Sequence, residues 1–98
     1  MIYEQVNKGL RLALLRLLSE PALNGRANTA VLHTSAGALG FEVARDRITS
    51  QCDWLCEQGL VTQEDLGSVR IVSVTQRGVD VAAGRSTVTG VDRPSPRT

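Results

Sequence analysis

Residues 48–61, ITSQCDWLCEQGLV, decide the fold. Three apolar residues recur there at spacings of four and three, on one face of a helix predicted over residues 43–58: Ile48, Cys52 and Leu55. Gly59 stands where a helix commonly ends in a left-handed residue. The apolar pair that follows it begins a run typical of a strand. This stretch therefore predicts a helix that stops at Gly59 and passes directly into a β-strand.

Two more helices are predicted before this stretch. The first covers residues 4–19, with apolar residues on one broad face, and the second runs from a cap at Asn28 or Thr29 to about Leu39. The buried set expected on the second helix is Val31, Leu32, Ala36 and Leu39. The segment between the two helices, rich in Pro, Asn and Gly, is predicted to be a loop.

On the first helix, Leu12 and Leu15 fall on the otherwise polar side. Two leucines in that position indicate either a dimer surface or cover by a later segment of the same chain. Both interpretations stay open from the sequence.

After Gly59, residues 60–64 and 69–74 predict a β-hairpin, and Thr75 is placed to cap a short last helix that Gly84 closes. Residues 1–84 are therefore expected to form one domain. Residues 85–98 are expected to be a C-terminal extension that is mobile or docks on a dimer partner.

Two segments carry a resemblance to the winged helix-turn-helix fold: ITSQCDWLCEQGLV, and VSVTQRGVDVAA at residues 72–83. A helix that runs into Gly-Leu-Val, followed by a strand that runs into Thr-x-x-Gly, resembles bacterial regulators of the ArsR and MarR types over about residues 5–84. The compact form also looks like small winged-helix proteins of Mu-like phages and prophages. The resemblance implies a mainly α fold with a small β-hairpin: three helices, a two-stranded wing and a short C-terminal helix.

The resemblance also implies a function, namely binding of double-stranded DNA by a homodimeric transcriptional regulator. In that fold the N-terminal half of the third helix faces base edges in the major groove. Seven residues are carried over as DNA-binding candidates on the third helix, on the wing and after it: Arg45, Arg47, Thr49, Ser50, Gln51, Arg70 and Arg77.

The charge pattern opposes this function. The net charge is only +1, and residues 42–67 carry two arginines against six carboxylates, a net charge of −4. On the helical wheel Asp46, Asp53 and Glu57 fall together, opposite the apolar face, and carboxylates there would repel phosphates. The alternative is a winged-helix protein-interaction module that binds a protein through these three carboxylates, such as a phage assembly or DNA-packaging accessory.

Enzymatic and metal-binding functions have no candidate in the sequence. A structural zinc site needs four ligands, and the chain offers two cysteines and His33. Cys52 belongs to the apolar face, whereas Cys56 lies nearer the flank. We therefore expect no enzyme, metal or cofactor. Because neither a membrane span nor a signal peptide is evident, we expect a cytoplasmic protein with both thiols reduced.

Overall fold

Within residues 2–94, the part of the chain that the computed structural model describes, four helices pack around a three-stranded antiparallel sheet. The elements follow in the order α1 (Ile2–Ser19), β1 (Arg26–Asn28), α2 (Thr29–Ala38), α3 (Arg45–Glu57), β2 (Val61–Asp65), β3 (Arg70–Val74) and α4 (Gln76–Ala82). The four predicted helices and the hairpin are present. The expectation of a mainly α fold with a two-stranded sheet is corrected to a mixed α/β fold, because β1 adds a third strand.

Strand β1 lies in the segment that the sequence predicts to be a loop. The sheet order is β1-β3-β2, and β1 places Arg26 opposite Ser73 and Asn28 opposite Ile71. A strand of three residues has no apolar alternation of its own and depends on pairing with β3. Of the two caps predicted for α2, Asn28 and Thr29, the structure has Asn28, since its Oδ1 accepts a hydrogen bond from the Val31 amide at 2.8 Å.

Helix α1 is the centre of the core and contacts all three other helices and β3. Leu15 is fully buried and Leu12 is 9% exposed. The interpretation that other segments of the same chain cover these leucines is confirmed for Leu15, whereas Leu12 keeps a small exposed area in an open groove. Their assignment to a dimer surface is corrected for Leu15, which has no exposed area with which to contact a partner.

Helix α2 buries a narrower face than the sequence indicates. Leu32 and Ala36 are fully buried as predicted, but Val31 is 39% exposed and Leu39 is 57% exposed. The helix ends at Ala38, so Leu39 is already outside its regular turns. The expectation that Val31 and Leu39 belong to the core is therefore wrong.

The junction of α3, the hairpin and α4 explains the two motifs of the sequence. Gly59 has a φ of +76°, and the Leu60 amide donates to the Leu55 carbonyl at 3.0 Å, which closes the end of α3. Thr75 Oγ1 donates to the Gly59 carbonyl at 2.8 Å and accepts from the Gly78 amide at 3.1 Å. Gly78 packs so closely on the Leu60 carbonyl that a Cβ there would overlap it. These contacts hold the end of α3 against the start of α4.

Residues 85–94 lie on the body of the domain. Val91 is buried with the core, and the Asp92 amide donates to the Lys8 carbonyl of α1 at 3.2 Å. Residues 95–98 of the expected extension lie outside the described residues. The boundary after Gly84 stays a prediction, but the core reaches beyond it. No helix within residues 2–94 is long and apolar enough to cross a membrane.

Candidate interaction face on the third helix and the hairpin

The candidate site is the outer side of α3 together with the hairpin β2–β3, which we name the α3–hairpin face. Four residues spaced by four, three and four form one exposed row along α3: Asp46, Ser50, Asp53 and Glu57. We name its three carboxylates, Asp46, Asp53 and Glu57, the acidic ridge. The predicted alignment of these three carboxylates on the side away from the core is confirmed.

Gln51, predicted to read DNA bases, points into the protein instead. It is 8% exposed, and its Oε1 accepts a hydrogen bond from Arg11 Nε at 2.7 Å. The prediction is therefore corrected. Its spacing gave a signal that was missed, because Gln51 lies three residues after Ile48 and four before Leu55, on the buried side of α3.

Arg47 is turned toward α1. Its Nη2 and Nε donate to Asn7 Oδ1 at 2.7 and 3.1 Å. The side chain is half-buried, so its guanidinium ties α3 to α1. In this structure Arg47 is not presented outward with the exposed row, contrary to the DNA-binding prediction.

Arg70 reaches the acidic ridge from the hairpin. Its Nη1 lies 2.8 Å from Asp53 Oδ1 and donates to Gln63 Oε1 at 3.2 Å, while Gln63 Nε2 donates to the same Asp53 oxygen at 2.9 Å. A surface ion pair of this kind contributes about 0–1 kcal/mol to stability. The ion pair has a larger effect on the charge of this surface. The Arg70 guanidinium, predicted to meet a phosphate, already faces the Asp53 carboxylate.

Arg77 also contacts its own chain, as its Nη1 donates to the Gln58 carbonyl at the end of α3. Thr49 Oγ1 donates to the Arg45 carbonyl at 3.3 Å and is only partly exposed. Of the seven DNA-binding candidates, Arg45 and Ser50 are the two that stand exposed on α3 without a side-chain hydrogen bond among the described residues.

The turn of the hairpin is acidic at its base and apolar at its tip. Glu64 and Asp65 are exposed, and Asp65 Oδ1 accepts from the Gly67 amide at 3.0 Å. Beyond them Leu66 is 59% exposed and Val69 is 40% exposed, and we name this pair the hairpin tip. An exposed apolar pair beside carboxylates is a feature that a partner protein can bury.

Arg11 is a structural residue that the sequence interpretation missed. It is 6% exposed, its Cζ lies 4.0 Å from the centre of the Trp54 ring, and its Nη1 donates to the Gly90 carbonyl at 2.8 Å and lies 3.4 Å from Glu4. Trp54 on α3 thus packs against α1 through this guanidinium. The sequence signal for the burial of Arg11 is the pair Leu12 and Leu15 on the polar side of α1, because a helix with apolar residues all round is surrounded by other elements.

The surroundings of the two cysteines and of His33 indicate structural roles. Cys52 is buried in the core as predicted, and this burial, with a smaller contribution from Asp53, raises the pKa of its thiol to about 12. Cys56 is a half-buried free thiol. His33 Nε2 lies 2.8 Å from the Val43 carbonyl. Within residues 2–94, no three His, Cys, Asp or Glu side chains come together as a metal site would require.

These features define a class: a small mixed α/β domain with an exposed acidic face on one helix and hairpin. The chain is 44% identical over 97 residues to the uncharacterized protein gp26 of Escherichia phage Mu, a match that covers 99% of both chains. It is 35% identical over 75 residues to an uncharacterized protein of Haemophilus influenzae, covering 76% of this chain and 72% of that protein. The chain therefore belongs to the bacteriophage family of the Mu protein gp26. No protein-family model and no solved structure matches it.

Proposed function

We propose that the chain is a winged-helix protein-binding module of a Mu-type phage or prophage, and that its α3–hairpin face binds a basic surface of a partner protein. The order of three helices, a hairpin and a short helix supports a winged helix, with β2–β3 as the wing. The short β1 on the far side of β3 completes the sheet without altering that order.

The observation that carries the proposal is the exposed acidic ridge. Residues 45–70 hold three arginines against five carboxylates, and two of the three arginines face partners within the chain. Contacts between cationic side chains and phosphates supply a large share of the affinity of DNA-binding proteins. A duplex on this face would instead meet carboxylates, whereas a lysine- or arginine-rich protein surface would gain favourable contacts.

The hairpin tip supports the same kind of partner. Leu66 and Val69 project from the turn beside Glu64 and Asp65, so the face combines an apolar contact with negative charge. Protein interfaces commonly place apolar contacts inside a polar rim. The phosphates of a duplex offer no apolar surface for these two side chains to contact.

Crosslinking tests the proposal. A photo-crosslinking amino acid at Ser50, at the centre of the exposed row, is expected to capture a defined phage or host protein during phage growth. Binding of that purified protein should then weaken about tenfold or more in the double variant Asp46→Lys/Glu57→Lys, which reverses the two ridge carboxylates that have no side-chain partner among the described residues. The matched control Glu42→Lys/Asp92→Lys makes the same charge change away from this row and should bind like the unaltered protein. Equal binding by both double variants would contradict the proposal.

Sequence-specific binding of DNA, as a transcriptional regulator, is the second candidate. It is favoured by Arg45 and Ser50, which stand exposed on the half of α3 that faces base edges in winged-helix regulators. Fluorescence anisotropy on random duplex DNA, at low and moderate salt, separates the two. If the α3–hairpin face binds a protein, we expect no saturable binding of DNA even at low salt. Saturable binding that falls steeply with salt and is lost in Arg45→Ala would establish the second candidate instead.

Both candidates describe a binding protein without enzymatic activity, which acts in the cytoplasm with its two thiols reduced. In the described part of the chain His33 lies against the Val43 carbonyl, and no hydrogen bond joins it to a hydroxyl or thiol nucleophile.

A further inference from the structure

An open groove of about 400 Å³ runs along α1 beside the segment that follows α2. Its floor is apolar and is formed by Leu12, Ala13, Leu17, Leu39 and Phe41. Leu39 is 57% exposed, and Leu17 and Phe41 are half-buried. None of these residues belongs to the α3–hairpin face, so the groove is a separate surface.

Two opposite charges stand on the rim of this groove. Arg16 and Glu20 are both exposed, and neither side chain has an ion pair or hydrogen bond among the described residues. Arg four residues before Glu is the less favourable order for pairing within a helix. Glu20 also follows the last residue of α1, Ser19, where the regular spacing of the helix ends. Both charges are therefore available to another molecule.

We propose that this groove is the interface of a two-fold symmetric homodimer. A two-fold interface must be complementary to itself: if one residue contacts a second across it, the second contacts the first. A rim with one positive and one negative charge beside a shared apolar floor meets this condition. With the two α1 helices antiparallel, Arg16 pairs with Glu20 of the partner subunit, and Glu20 pairs with the partner's Arg16.

Leu39 supplies the apolar contact of this dimer. It lines the groove and is one of the most exposed large apolar side chains in the described part of the chain. Packing it into the partner's groove covers both apolar floors at once. Leu12 takes part as a member of the floor, whereas the fully buried Leu15 does not. The α3–hairpin face of each subunit stays open, so the dimer does not depend on the proposed function.

Charge exchange across the interface tests the proposal. Sedimentation velocity over a wide concentration range is expected to show a dimer for the unaltered protein. Arg16→Glu and Glu20→Arg should each raise the dissociation constant about tenfold, because each places two like-charge pairs across the two-fold axis. The double variant Arg16→Glu/Glu20→Arg restores opposite pairs and should dimerise again. Arg45→Glu, an equal charge change on α3, is the matched control and should leave the dimer intact.

The apolar contact has its own variant and control. Leu39→Asp is expected to be monomeric at all concentrations, whereas Val31→Asp, which adds the same charge at an exposed residue of α2 outside the groove, should dimerise normally. Far-ultraviolet circular dichroism confirms that each variant is folded. A monomeric unaltered protein, a double charge variant that stays dissociated, or a dimeric Leu39→Asp would each overturn the proposal.

Discussion

Gly78 shows what a single residue of the Thr-x-x-Gly motif does. A methyl group there would overlap the Leu60 carbonyl and press on the Val74 side chain, and a backbone carbonyl cannot move aside as a side chain can. Gly78→Ala should therefore lower the free energy of unfolding by about 3 kcal/mol, the upper part of the usual range for overpacking. Urea denaturation followed by circular dichroism measures this change.

Gly37 provides the control for Gly78. It also lies in a helix without a positive φ, but nothing stands within 4 Å of the place where its Cβ would be. Gly37→Ala should raise stability by about 0.5–1 kcal/mol, because alanine loses less conformational entropy in a helix than glycine does. Similar changes in the free energy of unfolding for the two substitutions would show that the contact with Leu60 does not restrict the size of the side chain at residue 78.

The buried Cys52 thiol should make the stability of the protein depend on pH in alkaline solution. Burial raises the pKa of Cys52 from 9.0 to about 12, so its contribution to stability is complete below pH 9 and is lost as the pH rises toward 12. The unfolding free energy of the unaltered protein, minus that of Cys52→Ala, should therefore shrink as the pH rises above 9. At neutral pH an alkylating reagent should modify Cys56 first. A difference that is constant with pH would contradict this assignment.

At the scale of elements, the sequence was most informative where a local pattern decides the structure. The predicted apolar spacing of α3 and the left-handed Gly59 are present, and α2 begins with Asn28, one of its two predicted caps. Strand β1 was not predicted, because its three residues pair with β3 and have no pattern of their own. Leu39 was assigned to the core because a helical wheel does not show where a helix ends.

The candidate site was predicted less well than the elements, since its side chains are set by contacts between elements. The exposed acidic ridge follows from the period of one helix, and it was found. Gln51 and Arg47 are held by residues of α1, and Arg70 is held by Asp53 across from the hairpin. A sequence pattern places such residues on the right helix or strand, but not the pairs that they form in three dimensions.

At the scale of the whole molecule, the core extends past the last helix. Truncation after Gly84 removes the buried Val91 and the Gly90 carbonyl that Arg11 contacts. It should lower the free energy of unfolding by about 3 kcal/mol or more, from lost apolar burial and a lost charged hydrogen bond. Thermal unfolding followed by circular dichroism measures the loss. Truncation after Pro94 removes none of these contacts and serves as the control. Equal stability of the two truncated chains would place residues 85–94 outside the cooperative unit.

Trp54 is the only tryptophan of the chain, and its position makes it an intrinsic optical reporter. Its ring lies beneath the Arg11 guanidinium, and a Cβ on Gly90 would touch it, so α1, α3 and the C-terminal segment meet at one indole. Detachment of that segment should expose the Trp54 ring to water and shift its fluorescence to longer wavelength, while the helices keep their ellipticity. Ligand-free, label-free spectroscopy can therefore follow local opening of this protein separately from its global unfolding.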